Sequence, residues 1–136
     1  MAASVLVDAG FLVALLSLRD AHHGWAVAQS AHLPPPWTTC EAVLSEAFHL
    51  LGQRGAPALR ALLRRGALRA DFNFQEHLEP VLKLMQKYAD VPMGLADACL
   101  VRITEAVSDS VVLTTDGDFR IFRRHSRHVV PCVLPD

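Results

Sequence analysis

The chain has 136 residues, of which 51% are hydrophobic and 20% are charged. This composition is typical of a packed globular protein, excludes a disordered or fibrous chain, and at this length predicts one domain over residues 1–136. The net charge of −1 excludes a global electrostatic attraction to nucleic acid, so any such contact must come from a local basic patch.

The apolar run from Ala9 to Leu18 lacks the features of a signal peptide. It follows Asp8, no Lys or Arg precedes that acid, and the run is far shorter than the about 20 residues that span a bilayer. The cysteines, Cys40, Cys99 and Cys132, are far apart and form no CxxC pair, which favours buried, reduced thiols. We therefore expect a soluble cytoplasmic protein.

Extended and helical patterns alternate along the first half of the chain. Residues 4–7 form a short apolar run that ends abruptly in an acid, which is typical of a fully buried strand. Apolar residues at helical spacing predict helices over 11–18 and 22–31, and three prolines then turn the chain. A very short strand over 37–39 is expected to lead into a helix over 40–53.

The second half continues this alternation. The predicted elements are, in chain order, a helix over 58–65, an extended segment over 68–72, helices over 75–88 and 92–107, a buried strand over 110–115, a helical turn over 119–124 and a last strand over 129–133. Strands that alternate with helices imply a parallel sheet covered on both faces, so the sequence predicts an α/β sandwich.

Acidic residues follow both of the clearest predicted strands. Asp8 comes directly after the first strand, Asp116 follows the strand near residue 113, and Asp118 lies two residues later. Ligand sites of open parallel sheets form beyond the carboxyl ends of the strands. Helix N-capping is the structural alternative for any one of these acids, but two strands that end in the same way favour a functional site.

Two further candidate acids lie in predicted helices. Asp97 is the only charge in the apolar stretch 95–101, and a buried carboxylate must be paired, protonated or bound to a metal. A favourable place in the first turn of a helix is the alternative. Glu46 lies at the edge of an apolar helix face with no evident structural role, whereas Glu41 has capping-box spacing with Thr38. Glu46 is therefore the preferred candidate.

Carboxylates gathered at one site repel one another, and a hard divalent cation removes that conflict. Mg²⁺ and Mn²⁺ prefer oxygen ligands, and no Cys/His set has the spacing of a zinc site. Such a cation activates water and neutralises charge that develops on a phosphate. The acids therefore favour hydrolysis of phosphodiester bonds.

Several short strings, each weak alone, follow one another along the chain. They are VDAGFLVALL (7–16), DAHHGWA (20–26), TTCEAVLSEA (38–47), ADA (96–98) and LTTDGDF (113–119). With the acids in this order, they resemble the PIN-domain nucleases, and in particular the VapC-like toxins of prokaryotic toxin–antitoxin pairs. The resemblance runs from residue 5 to about 130.

The resemblance implies a three-layer α/β/α fold with a central parallel sheet of about five strands. It also implies a Mg²⁺- or Mn²⁺-dependent endoribonuclease that often forms a homodimer and that a cognate antitoxin protein inhibits. The residues that match the catalytic and metal-binding acids of the family are Asp8, Glu46, Asp97 and Asp116, with Asp118 as an auxiliary metal ligand.

Two positions depart from the family pattern. Many relatives carry Ser or Asn where Gly10 stands, so a hydrogen bond that orients the first Asp is expected to be absent. Relatives often carry another Asp where this chain has Gly94, so we expect weaker metal binding.

A basic segment follows the last acids. Arg120, Arg123 and Arg124 are candidates for contacts with RNA phosphates, and a solvated helix face is an equally good interpretation of the same residues.

Three other functions fit a sheet of this kind. An aspartyl-phosphate phosphatase needs a second Asp where Gly10 stands, and a phosphorylated receiver needs an Asp after a central mid-chain strand, which is not found. The other alternative is a catalytically silent PIN-like module that binds RNA or protein. The complete set of acids argues against this alternative.

Overall fold

The computed structural model describes residues 3–136, and seven short strands lie in this part of the chain. They are β1 (Ser4–Val7), β2 (Trp37–Thr38), β3 (Leu68–Arg69), β4 (Ser110–Leu113), β5 (Arg123–Arg124), β6 (His128–Val129) and β7 (Cys132–Val133). Five of them form one parallel sheet in the order β3-β2-β1-β4-β7. The other two, β5 and β6, pair as an antiparallel hairpin.

Helices connect the strands and cover both faces of the sheet. They are α1 (Ala9–Leu16), α2 (His23–His32), α3 (Glu41–Arg64), α4 (Leu78–Lys87) and α5 (Leu95–Ala106), with 3₁₀ turns at Phe74–His77 and Gly117–Arg120. The predicted three-layer α/β/α sandwich with a parallel sheet of about five strands is confirmed. None of the helices within residues 3–136 is long and apolar enough to cross a membrane.

The central position of β1 in the sheet explains why its sequence is a continuous apolar run. Leu6 lies opposite Thr38 of β2 on one side and Val112 of β4 on the other, and its side chain is fully buried. Phe11 of α1 packs edge-on against Trp37, with ring centroids 5.3 Å apart. Because helices cover both faces, every position of β1 after the first is apolar and buried.

Helix α3 is sharply kinked at Gly52. This glycine has φ of +65°, in the left-handed region that only glycine adopts without strain. We predicted two separate helices, over 40–53 and 58–65; the chain does divide into two helices, at Gly52, and the second begins earlier than predicted. The first half of α3, before the kink, begins just after β2 ends, at the carboxyl end of the sheet.

The predicted last strand over 129–133 is two strands in the structure. β6 belongs to the hairpin, whereas β7 lies beside β4 in the main sheet. Between them, Pro131 has no N–H to donate, and its carbonyl accepts a hydrogen bond of 2.9 Å from the backbone N–H of Val112. The prediction of one continuous strand was therefore wrong.

The cysteines are free thiols, as predicted. Cys40 and Cys99 are buried, and Cys132 is half-buried.

Candidate active site

Asp8 lies at the end of β1 and also begins α1. One of its carboxylate oxygens accepts a hydrogen bond of 2.8 Å from the backbone N–H of Ala9, which caps the helix. The other accepts a hydrogen bond of 2.8 Å from the hydroxyl of Thr114, which follows β4. Only 7% of Asp8 is exposed. Asp8 therefore caps α1, as the structural alternative predicted, and this role leaves its predicted place in a functional site open.

Thr114 joins the ends of the two central strands. Its hydroxyl donates to Asp8 and accepts a hydrogen bond of 3.0 Å from the backbone N–H of Asp116. Asp116 in turn caps the following 3₁₀ turn, because its carboxylate accepts a hydrogen bond of 2.9 Å from the backbone N–H of Asp118. The sequence did not indicate a role for Thr114. Its one recognisable feature there is a hydroxyl at the end of a buried strand.

The other two acids lie on helices that approach the same edge of the sheet. Asp97 is in the first turn of α5, where its carboxylate accepts a hydrogen bond of 3.1 Å from the backbone N–H of Gly94. Glu46 is exposed on the first half of α3. The capping box predicted for Glu41 does not form, because α3 starts at Glu41 itself with Cys40 as its N-cap.

The carboxylates of Asp8, Glu46, Asp97 and Asp116 line one cleft of about 630 Å³. The remaining lining residues are small or apolar: Gly10, Ala42, Leu50, Pro92, Gly94, Leu95, Ala96 and Thr115. The residues that form the wall do not include Asp118 or Glu41. The fold thus brings together the four acids that sequence analysis singled out as the main candidates.

Two acids of the cleft, Asp8 and Asp97, are harder to ionise than an exposed Asp. Burial raises the pKa of Asp8 from 3.8 to about 6; hydrogen bonds from Thr114 and Ala9 oppose the rise, and the nearby acids add to it. Burial likewise raises the pKa of Asp97 from 3.8 to about 6, against a hydrogen bond from Gly94 and with the charges of the other acids. Both groups therefore become protonated as the pH falls through about 6, at a higher pH than an exposed Asp.

The donor set of the cleft fits a hard divalent cation. All four candidate ligands are carboxylates, and positive charge between them would relieve both their repulsion and the raised pKa values. Within residues 3–136, no three His, Cys, Asp or Glu side chains already converge as a group of metal ligands. A hard cation bound there would take some of the carboxylates and complete its shell with water and phosphate oxygens.

The structure shows a structural role for two of the arginines proposed to contact RNA. The guanidinium of Arg124 donates to the carbonyls of Thr104 and Ser108, at 3.0 and 3.1 Å, at the end of α5 opposite to the cleft. The guanidinium of Arg123 donates to three backbone carbonyls of residues 120–122, the shortest at 2.7 Å. Arg120, by contrast, is exposed.

Gly10 is required by a close approach. A Cβ at this position would overlap the hydroxyl of Thr115, which lines the cleft beside it. Where many relatives carry Ser or Asn, this chain has Gly10, and the side chain of Thr115 fills the space that a larger residue would need.

Comparison with known proteins gives the family of the chain. The sequence profile of the PIN domain matches residues 5–124. A similar solved structure is that of Mycobacterium tuberculosis VapC20, described as a sarcin-ricin loop cleaving toxin, with a TM-score of 0.75 and 26% sequence identity over 85% of this chain and 92% of that one. No protein of curated function matches the chain significantly. The predicted resemblance is confirmed, and the chain belongs to the PIN domain family.

Proposed function

We propose that the chain is a metal-dependent endoribonuclease that hydrolyses RNA phosphodiester bonds and acts as a VapC-like toxin. The observation that carries the proposal is the cleft that is lined by four acidic residues from different elements. Family membership and the likeness to VapC20 support RNA cleavage. Because VapC20 is described as cleaving the sarcin-ricin loop, a structured RNA loop is a reasonable first substrate to test.

The cofactor in this proposal is Mg²⁺ or Mn²⁺, held by Asp8, Glu46, Asp97 and Asp116. When bound, such an ion lowers the pKa of a coordinated water and offsets charge on the phosphate. Asp118 is the least supported ligand, because it does not form part of the cleft wall.

The side chains of the protein have distinct roles in this site. Thr114 fixes the orientation of Asp8 by its hydroxyl and ties it to the segment that carries Asp116. Asp8 and Asp97 must release their protons before they can act as ligands, so metal affinity should rise with pH through about 6.

The proposal includes partners by analogy with the toxin family. An antitoxin protein would cover the cleft, and two copies of the chain would form a homodimer. Toxin and antitoxin would act in the cytoplasm. Of the three arginines proposed to contact RNA, Arg120 is the best supported, because its neighbours Arg123 and Arg124 are bonded to carbonyls.

A cleavage assay with paired variants tests the proposal. Purified protein is incubated with tRNA, a sarcin-ricin hairpin and messenger RNA, with Mn²⁺, with Mg²⁺ and with a chelator. Glu46→Gln is compared with Glu41→Gln, which alters an exposed glutamate on the same helix outside the cleft.

We expect metal-dependent cleavage that falls at least about 100-fold in Glu46→Gln and is unchanged in Glu41→Gln. Equal loss in both variants would argue against the assigned site. Absence of cleavage by folded, antitoxin-free protein on all substrates would favour the silent binding module.

A further inference from the structure

Part of the lining of the acid cleft is apolar and exposed. Leu50 of α3 is 56% exposed and Leu95 of α5 is 43% exposed, and both line the cleft together with Pro92. Exposed leucines scattered singly need no explanation, but two that converge on one functional cleft mark a contact surface.

Each leucine accompanies one of the acids on the same helix. Ala42, Glu46 and Leu50 are spaced four residues apart, so they form one stripe along α3 that faces the cleft. Leu50 therefore lies about one helical turn beyond Glu46. On α5, Leu95 is two residues before Asp97 in the first turn. Each of the two helices thus contributes one carboxylate and one exposed apolar side chain to the lining of the cleft.

We propose that Leu50 and Leu95 are specificity-determining residues that hold an unstacked nucleobase of the RNA beside the phosphate at which the bond is hydrolysed. This inference rests on the proposed ribonuclease function and assigns the part of the cleft that the acids do not use.

The chemistry of a nucleotide fits this division of the cleft. Its phosphate requires the acidic side with a cation, and its base, one sugar away, is an uncharged ring with apolar faces. Apart from the four acids, the cleft wall has no charged side chain, so the region beside them repels neither face of a base. A volume of about 630 Å³ suits a ligand of nucleotide size.

The same geometry excludes a base that remains in a duplex. A paired base is covered by its neighbours on both faces, and its ring cannot reach a side chain beside its own phosphate. The leucines therefore select nucleotides that are unpaired, or that the enzyme can unstack, at the cleavage position.

The test combines leucine variants with RNA that lacks a base. Leu50→Ser and Leu95→Ser are compared with Leu82→Ser, which removes an equally exposed leucine (44%) from α4, away from the cleft. Single-stranded oligonucleotides carry an abasic site at each position around the cleavage site in turn. The dissociation constant of each RNA is measured by fluorescence anisotropy on the Asp97→Asn background, and KM and kcat with Mn²⁺ are measured on active protein.

For the intact RNA, we expect Kd and KM to rise about three- to tenfold in each cleft variant, with kcat within about twofold and Leu82→Ser unchanged. At one nucleotide position, removal of the base should weaken wild-type binding by a similar factor and have no further effect on Leu50→Ser or Leu95→Ser. Leu95→Met, which restores an apolar side chain, should regain most of the binding.

The inference is overturned if Leu50→Ser and Leu95→Ser bind intact RNA as tightly as Leu82→Ser does. It is also overturned if, at every position, removal of the base raises the Kd of these variants as much as that of the wild type. Failure of the proposed function has a different signature: wild-type protein with Mn²⁺ cleaves none of the RNAs. If such a protein still binds RNA, the anisotropy series decides on the leucines independently, and if it binds none, both proposals fail.

Discussion

Replacement of Asp8 by Asn should make the metal-free protein more stable while it abolishes cleavage. Burial raises the pKa of this carboxyl from 3.8 to about 6, which corresponds to about 3 kcal/mol at 1.36 kcal/mol per pKa unit. The folded pKa is above the unfolded one, so the folded state holds the proton more tightly between pH 4 and 6. Stability from this group is therefore greatest below about pH 4 and is lost as the pH rises through about 6.

The amide of Asn removes the charge but does not reproduce both hydrogen bonds of the carboxylate. Its oxygen can still accept the N–H of Ala9, whereas its NH₂ group cannot accept the hydroxyl of Thr114, which then loses its acceptor. A broken buried hydrogen bond costs about 1–2 kcal/mol. At pH 7.5 in a chelator, we expect a net gain of about 1–2 kcal/mol in the free energy of unfolding for Asp8→Asn.

Urea unfolding at pH 4.5 and 7.5, with and without Mn²⁺, measures this effect. Asp109→Asn, at an exposed acid outside the cleft, is the matched control. The wild type should lose stability between the two pH values in chelator and recover it with Mn²⁺. Asp8→Asn should show a smaller loss, the part that Asp97 contributes, and a smaller recovery with Mn²⁺. The reasoning is refuted if Asp8→Asn is less stable than wild type at pH 7.5 in chelator.

Three further changes test other parts of the site. Thr114→Val removes the hydroxyl that lowers the pKa of Asp8, so the pH midpoint of Mn²⁺ binding, measured by calorimetry, should move upward; no movement would contradict the assigned hydrogen bond. Gly10→Ser should destabilise the fold by about 1–3 kcal/mol in urea unfolding, because the new side chain overlaps Thr115, and Thr115→Ala should restore most of the loss. Arg124→Ala should lower stability by about 1 kcal/mol and leave the Kd for RNA unchanged, whereas weaker RNA binding at full stability would support a phosphate contact.

Sequence patterns predicted the parts of the fold that depend on local burial. The apolar runs of β1 and β4 are buried on both faces, and such runs are recognisable without any knowledge of their neighbours. The acids after these runs, Asp8 and Asp116, could be placed at one edge of the sheet because parallel strands end at the same side.

The features that were missed depend on residues far apart in the chain. The hydrogen bond between Thr114 and Asp8 joins positions 106 residues apart, and no local pattern indicates it. The hairpin of β5 and β6 has two residues in each strand, too few for an alternating pattern. Arg124 looked like a surface residue because its acceptors are backbone carbonyls, which every sequence contains.

The outer strands of the main sheet also restrict how copies of this chain can associate. β3 and β7 have only two residues each, so either rim of the sheet offers few free N–H and C=O groups to another strand. Few hydrogen bonds could therefore join the sheets of two copies into one continuous sheet. The short edge strands also disfavour fibril-like stacking. We therefore expect any contact between two copies to depend on side chains and not on paired strand edges, so that individual substitutions can strengthen, weaken or redirect it.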